Sequence, residues 1–179
     1  LVSGPASIAV APHLFPRIPY DPIGDLAPIA MLGAGAFVLV VHPSVAARDV
    51  TELIRTAKAQ PGALAYGSGG NGSSGHLCTE LFALQTGTKL LHVPYKGDGQ
   101  AVGDLLSGQI QVMFTAPNVA MAHVKSGRLR LLAVTTRDRV ASLPDVPTVH
   151  ASVPEFEYLG WVMAFAPAGT LAVALDALA

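Results

Sequence analysis

The glycine-rich stretch over residues 67–72 is the feature of this sequence best suited to binding a small molecule. It reads G-S-G-G-N-G, which fits the pattern G-x-G-x-x-G, and it lies between a predicted strand and a predicted helix. A glycine loop at the start of a helix presents backbone N–H groups at the positive end of the helix dipole. Ser68, Asn71, Ser73 and Ser74 would add side-chain donors. The stretch therefore predicts an anion site, with a bare turn as the alternative.

A dinucleotide site fits this loop poorly. Such a site needs an acidic residue about 20 positions further on, where it holds a ribose hydroxyl. The next predicted strand instead ends in H-V-P-Y-K at residues 92–96, which contains no Asp or Glu. The glycine pattern alone thus does not indicate a nucleotide cofactor.

Two further loops follow neighbouring predicted strands, at residues 94–97 and 115–118. Strand-to-helix loops of a parallel sheet share one edge, where ligands bind, so all three loops should border one crevice. Tyr95 would offer a flat wall and a hydroxyl group, and Lys96 a positive charge, although a lysine here is equally compatible with a solvated surface. His76, in the first turn after the glycine loop, either donates to a ligand or caps that turn.

Residue patterns typical of enzymes and metal sites are missing from the sequence. There is no G-x-S-x-G serine, no H-E-x-x-H helix, no histidine pair at metal-ligand spacing and no pair of carboxylates placed for acid–base work. Asp49 and Asp98 are interpreted as helix caps. The single cysteine, Cys78, excludes a disulfide framework and is interpreted as a small buried hydrophobe. We therefore predict no catalytic residue, no metal and no cofactor.

Short apolar runs alternate with helical patterns through the middle of the chain. The predicted strands cover residues 37–41, 63–66, 89–93, 110–114 and 129–135, with helices between them and a last strand or crossing segment over 156–166. In the helix after the glycine loop, Leu77, Leu81 and Leu84 share one face, and Gly87 ends it. This alternation predicts an α/β fold with a mainly parallel sheet.

Composition narrows the possible partners. Of the 179 residues, 51% are hydrophobic and 13% charged, as in a folded domain, and the formal net charge is −1. Without a basic cluster, neither a nucleic acid nor an anionic membrane is an expected partner. The apolar run over residues 36–41 is too short to span a bilayer. Both ends interrupt a pattern and no signal peptide is recognisable, so we expect a segment of a longer protein.

Several stretches of the sequence occur together, and in the same order, in one known family. They are Y-D-P at 20–22 with D-L-A-P-I at 25–29, the loop at 67–77, H-V-P-Y-K-G at 92–97, D-L-L-S-G-Q at 104–109, S-G-R-L-R-L-L-A-V-T at 126–135, Arg139 with L-P-D-V-P-T at 143–148, and F-A-P-A-G-T at 165–170. Over nearly its whole length, the chain thus resembles the extracytoplasmic solute receptors of tripartite tricarboxylate transporters, also called Bug-type receptors.

The resemblance implies a periplasmic receptor that captures a di- or tricarboxylate, or a similar carboxylate-bearing solute, for the membrane subunits of the transporter. It implies a fold like that of type II periplasmic binding proteins, in which two α/β lobes with mainly parallel sheets close over the solute without catalysis. Residues 1–37 would be part of the first lobe, 38–158 a complete second lobe, and 159–179 a return segment to the first lobe.

The resemblance also implies a set of ligand-binding residues. They are Ser68, Gly69, Gly70, Asn71, Gly72, Ser73, Ser74, His76, Tyr95, Lys96, Phe114 and Thr115. Two positions depart from the family, which often has an acidic residue in place of Thr115 and Glu in place of His150. The first strand and its ligand loop, which family members place well before Tyr20, are not in this sequence.

Two other functions remain open from the sequence. One is a nucleotide- or phosphate-binding α/β enzyme that uses the loop over residues 67–72, and the other is a partial receptor that serves as a sensor or interaction partner. Self-association is also expected if apolar residues near both ends lack a core, namely Leu14, Phe15, Met31, Leu32, Val173 and Leu175.

Overall fold

The computed structural model describes residues 1–178, which fall into two compact units. One unit is formed by Leu1–Gly35 together with the segment from Gly160 onward, and the other by Ala36–Leu159. None of the described helices is both long and apolar enough to cross a membrane.

The first unit is a small sheet with short helices. Its elements are β1 (Val2–Ser3), a π-helix (Ala6–Val10), α1 (Ala11–Leu14), β2 (Leu26–Ala36), β8 (Leu159–Pro167) and α6 (Ala172–Leu178). The strand order is β1-β8-β2, and Val2 of β1 pairs antiparallel with Ala164 of β8. A strand within the predicted segment over 156–166 is confirmed, whereas the sequence did not predict the eleven-residue strand β2.

Several large apolar side chains of this unit are exposed. They include Leu14, Phe15, Met31, Leu32 and Val173, whereas Leu175 is half-buried. These exposed residues agree with the expectation for apolar groups near the two ends. Whether they cause self-association stays a prediction.

The second unit alternates strands and helices. Its elements are β3 (Val38–Val41), α2 (Val50–Ala59), β4 (Ala65–Ser68), α3 (Ser74–Thr86), β5 (Leu91–Pro94), α4 (Asp98–Ser107), β6 (Val112–Thr115), α5 (Pro117–Lys125), β7 (Arg130–Val134) and a 3₁₀ turn (Val149–Ala151). The strand order is β5-β4-β6-β3-β7. Strand β4 runs parallel to β5 and β6, whereas β3 runs antiparallel to β6 and β7. Four strands therefore share one direction, which confirms the α/β fold with a mainly parallel sheet.

The central strands of this sheet are buried on both faces. In β3, Leu39 and Val41 pack into one apolar cluster, and Val38 and Val40 pack into another. Such two-sided burial explains why the strand reads as an uninterrupted apolar run. The edge strand β5 differs, because its Leu91 is exposed.

Helix α3 packs on the sheet mainly through small residues and Phe82, while Leu81 is partly buried against the same apolar cluster. A Cβ on Gly75 would lie 2.7 Å from the backbone oxygen of Phe114, so the helix and the strand are in close contact. Cys78 and Phe82 are fully buried on this face, while Leu84 is 80% exposed. The interpretation of Cys78 as a buried hydrophobe is confirmed, and burial raises the pKa of its thiol. The leucine face anticipated from the sequence is wrong at Leu84, because Cys78 and Phe82 define the face that meets the sheet and Leu84 lies about 200° around the helix from Phe82.

Of the two aspartates predicted to cap helices, one does so and the other does not. The Asp49 carboxylate accepts a hydrogen bond of 2.8 Å from the backbone N–H of Glu52, which confirms it as the cap of α2. Asp98 is not a cap. Gly97 takes that position with a φ of +124°, and Asp98 lies in the first turn of α4 with its carboxylate directed to another strand.

Candidate functional site

Three strand ends meet at one edge of the larger sheet. Because β5, β4 and β6 are adjacent and parallel, the residues that follow Ser68, Pro94 and Thr115 emerge side by side. The backbone N–H of Tyr95 donates to the carbonyl of Ser68 over 3.0 Å, which ties the first two loops together. The three loops that were predicted to border one crevice thus lie side by side at one edge of the sheet.

The glycine loop is a compact turn held by its own backbone. Gly70 donates from its N–H to Ser68 Oγ at 3.2 Å, and its carbonyl accepts from the N–H of Ser73 at 3.1 Å. Gly70 and Gly72 have φ values of +121° and +77°, a region that side-chain-bearing residues rarely adopt. The glycines are therefore required by the path of the loop.

The loop delivers the start of α3 to the sheet edge. Ser73 caps the helix, since its Oγ accepts from the N–H of His76 at 3.3 Å. The backbone N–H groups of Ser74 and Gly75 have no acceptor within the described part of the chain, as is usual in a first helical turn. Two free donors at the positive end of a 13-residue helix form a favourable place for an anion.

His76 supports the glycine loop. The N–H of Gly72 donates to His76 Nδ1 at 3.1 Å, so Nδ1 acts as an acceptor. In the neutral ring, Nε2 then carries the proton and remains a donor. His76 thus supports the turn through Nδ1, and donation from Nε2 to a ligand stays a prediction.

His92 is a residue of this edge that the sequence reasoning missed. Its ring stacks with that of His76, with centroids 4.1 Å apart, and with that of Tyr66, with centroids 4.7 Å apart, and the rings of His76 and Tyr66 also stack on each other at 6.4 Å. Its Nε2 lies 2.7 Å from Ser68 Oγ. Burial, and then the proximity of His76, lower the pKa of His92. The sequence could not show this contact, because it depends on the pairing of β5 with β4, which sets His92 level with Tyr66.

Asp98 and Thr115 form a second polar pair at the edge. Thr115, which is fully buried, donates from Oγ1 to Asp98 Oδ2 over 2.8 Å. A Cβ on Gly69 would lie 2.7 Å from Asp98 Oδ1, so a side chain at this position would displace the carboxylate from its present orientation. Sequence reasoning treated Asp98 as a cap and therefore missed it as a site residue.

Tyr95 has its hydroxyl group turned towards α4. The hydroxyl donates to Asp104 Oδ2 at 2.7 Å. Burial, together with the hydrogen bond to Asp104 and the charge of that carboxylate, raises the pKa of Tyr95 to about 12. The backbone of Tyr95 thus belongs to this edge, while its hydroxyl anchors α4.

The other predicted ligand-binding residues differ in how far their side chains are exposed at this edge. Asn71 and Lys96 are exposed, at the tip of the glycine loop and in the next loop. Phe114 is fully buried and stacks with Phe156 at 6.1 Å between centroids, so only its backbone reaches the crevice. Among residues 1–178, no three His, Cys, Asp or Glu side chains are grouped so that they could hold a metal ion.

Comparison with known proteins places the whole chain in one family. Residues 1–179 match the model for the tripartite tricarboxylate transporter family receptor. BugT of Bordetella pertussis is 40% identical over 171 residues, which is 95% of this chain and 52% of BugT. A protein from the tcbD–tcbE intergenic region of Pseudomonas sp. strain P51 is 38% identical over 165 residues, or 91% of this chain and 49% of that protein. The chain spans about half the length of these curated relatives.

Solved structures agree with this relationship. An R. palustris protein determined with adipate superimposes with a TM-score of 0.93 at 32% identity, over 99% of this chain and 60% of that one. MatC from Rhodopseudomonas palustris, with bound malate, gives a TM-score of 0.89 at 26% identity over 99% and 60%. The periplasmic binding protein BugD gives a TM-score of 0.89 at 29% identity, over 99% of this chain and 59% of BugD. The fold is therefore that of a periplasmic binding protein, as the sequence predicted. With the family model matched from Leu1 to Ala179, the chain belongs to the tripartite tricarboxylate transporter receptor family, whose members are solute-binding receptors and not enzymes.

Proposed function

We propose that this chain is part of a periplasmic receptor that binds a small organic acid by a carboxylate group at the start of α3. The observation that carries the proposal is the pair of free N–H donors of Ser74 and Gly75 at the end of a braced glycine loop. The ligand-binding residues are those predicted from the sequence, with Phe114 contributing through its backbone. Catalysis takes no part in this function.

The physical basis is the replacement of water around a carboxylate by fixed donors. A hydrogen bond to a charged group contributes about 1.5–3 kcal/mol, and the helix end adds about 0.3–1 kcal/mol. His76 keeps Gly72 in place, so the loop does not have to be ordered when the ligand binds. His76 Nε2, on a side chain in the first turn of the same helix, would be a further donor to the ligand.

The comparisons support a carboxylate ligand without naming it. The two R. palustris structures hold adipate and malate, which share carboxylate groups and differ in length and in a hydroxyl group. Delivery of the solute to membrane transporter subunits is part of the proposal, and the description of the family supports it. Closure of two lobes over the ligand stays a prediction from the family resemblance.

A ligand screen tests the proposed class of solute. The receptor, as its cell produces it, is heated with succinate, adipate or citrate, and in parallel with ATP, NAD or inorganic phosphate. We expect at least one carboxylate to raise the Tm in a saturable manner, because a ligand that binds only the folded state stabilises it. A rise with nucleotides alone would favour the phosphate-binding alternative instead.

A pair of glycine variants tests whether the glycine loop over residues 67–72 is the ligand-binding site. Gly72→Val should abolish binding of the carboxylate found in the screen, since its φ of +77° is incompatible with a branched residue. Gly127→Val is the matched control, because Gly127 has a φ of +72° in a turn where an added Cβ meets open space. Circular dichroism checks that both variants fold, and Gly72→Ala provides a milder change. Unchanged affinity in a folded Gly72→Val receptor would exclude this loop as the site.

A further inference from the structure

We infer that Asp98, oriented by Thr115, selects organic acids that carry a hydrogen-bond donor, a hydroxyl or an ammonium group, close to the bound carboxylate. This inference rests on the proposed function and specifies the solute of the same site. It assigns a specificity role to a residue that neither the sequence motifs nor the family resemblance had singled out.

The position of Asp98 brings all three loops of the edge together. It begins α4 after β5, its Oδ2 accepts from Thr115 at the end of β6, and its Oδ1 faces Gly69 in the loop after β4. Thr115 is fully buried, so the hydrogen bond of 2.8 Å holds the carboxylate in one orientation. The carboxylate is half-buried beside the loop that leads to the free donors of α3.

The chemistry of Asp98 determines what it accepts from a ligand. An ionised carboxylate has only acceptors, and Oδ1 has no hydrogen-bond partner among residues 1–178. No described lysine, arginine or histidine forms a salt bridge with Asp98. When a ligand displaces water from Oδ1, a methylene group at that place leaves the oxygen without a partner, which is costly for a charged group. A hydroxyl or ammonium group satisfies it.

The selectivity between substituted and unsubstituted acids follows from whether the ligand satisfies Asp98 Oδ1. A site built to hydrogen-bond a substituent rejects analogues that lack it far more strongly than an apolar pocket rejects a missing methylene group. The free N–H groups of Ser74 and Gly75 would bind the carboxylate of either type of acid, so Asp98 distinguishes between them. The N–H donors of Ser74 and Gly75 thus favour organic acids in general. The Asp98 carboxylate restricts the choice to acids that carry a hydroxyl or ammonium group.

Four-carbon acids that differ at a single position test the inference. Calorimetry on the receptor, as its cell produces it, compares succinate with L-malate and L-aspartate, which carry a hydroxyl and an ammonium group in place of a hydrogen. We expect at least one of the substituted acids to bind about tenfold or more tightly than succinate. Asp98→Ala should reduce this preference at least about tenfold while leaving succinate affinity equal or improved.

Two further variants separate selectivity from stability. Asp145→Ala removes the same group from an exposed position and should leave the preference unchanged. Thr115→Val should lower the preference by releasing the Asp98 carboxylate, and Thr115→Ser should restore it, because serine keeps the hydroxyl donor.

The outcomes distinguish this inference from the proposed function. If succinate or adipate binds as tightly as both substituted acids, or if Asp98→Ala leaves the preference unchanged, the role of Asp98 is overturned and carboxylate binding stands. If the receptor binds no carboxylate, the proposed function fails and the inference fails with it.

Discussion

Lys96 lies between β5 and α4, at the sheet edge that carries the glycine loop, and its side chain is exposed. If its ammonium group contacts the bound carboxylate, Lys96→Ala should weaken ligand binding about 10- to 100-fold, the range of a hydrogen bond between charged groups. Lys125→Ala, at an exposed lysine near the end of α5, serves as the control and should have no effect. Calorimetry measures both. A loss near zero at Lys96 would show that this lysine is simply solvated.

His92 makes the stability of the protein depend on pH. Its pKa is lowered in the folded state, first by burial and then by His76, so the unfolded chain binds a proton more readily. The stability that neutral His92 provides is therefore present above the unfolded pKa of about 6.5 and is lost as the pH falls from there through the folded pKa. Urea unfolding at pH 7.5 and 5.5 should show a smaller pH effect in His92→Gln. An equal effect in both proteins would contradict this interpretation.

Variants of two helix caps can distinguish an effect on protein stability from an effect on ligand binding. Ser73 caps α3 at the candidate site, and Asp49 caps α2 away from it. Replacing either by alanine should lower the free energy of unfolding by about 1 kcal/mol. Only Ser73→Ala should also weaken carboxylate binding, because it loosens the turn that presents the Ser74 and Gly75 donors. Chemical denaturation and calorimetry together measure the two effects, and equal binding losses in both variants would argue against a role for the start of α3.

The elements also show what the sequence could and could not predict. Apolar runs bounded by Gly and Pro identified the strands of the larger sheet, and Gly87 ends α3 in a left-handed conformation as expected. The reversed direction of β3 could not be predicted, because a strand buried on both faces has the same pattern in either direction. The contact between Asp98 and Thr115 was likewise hidden, since it joins residues 17 positions apart through the order of the strands.

For the whole molecule, the exposed apolar groups of the first unit predict association. Met31 and Leu32 of β2 are 54% and 58% exposed, and Leu14 and Phe15 are exposed in the same unit. Large apolar side chains exposed in this number are typical of protein interfaces. We expect the 179-residue chain to sediment as a species larger than its 18.4 kDa monomer at micromolar concentration.

A variant with a matched control tests this association. Met31→Lys combined with Leu32→Lys should shift the chain towards the monomer, whereas Leu84→Lys, at a leucine that is 80% exposed on the other unit, should not. A monodisperse 18.4 kDa species for the unaltered chain would show that the exposed side chains do not drive association.

The central claim is that the start of α3 binds a carboxylate. The most direct test is a crystal structure of the receptor in complex with the ligand that gives the largest rise in Tm. The account predicts one ligand carboxylate at the start of α3, with its oxygens about 2.7–3.2 Å from the backbone nitrogens of Ser74 and Gly75. The loop over residues 69–73 should keep its path, because His76 already holds it in place. A ligand bound with its carboxylates elsewhere, and with both nitrogens still without a partner, would contradict the account.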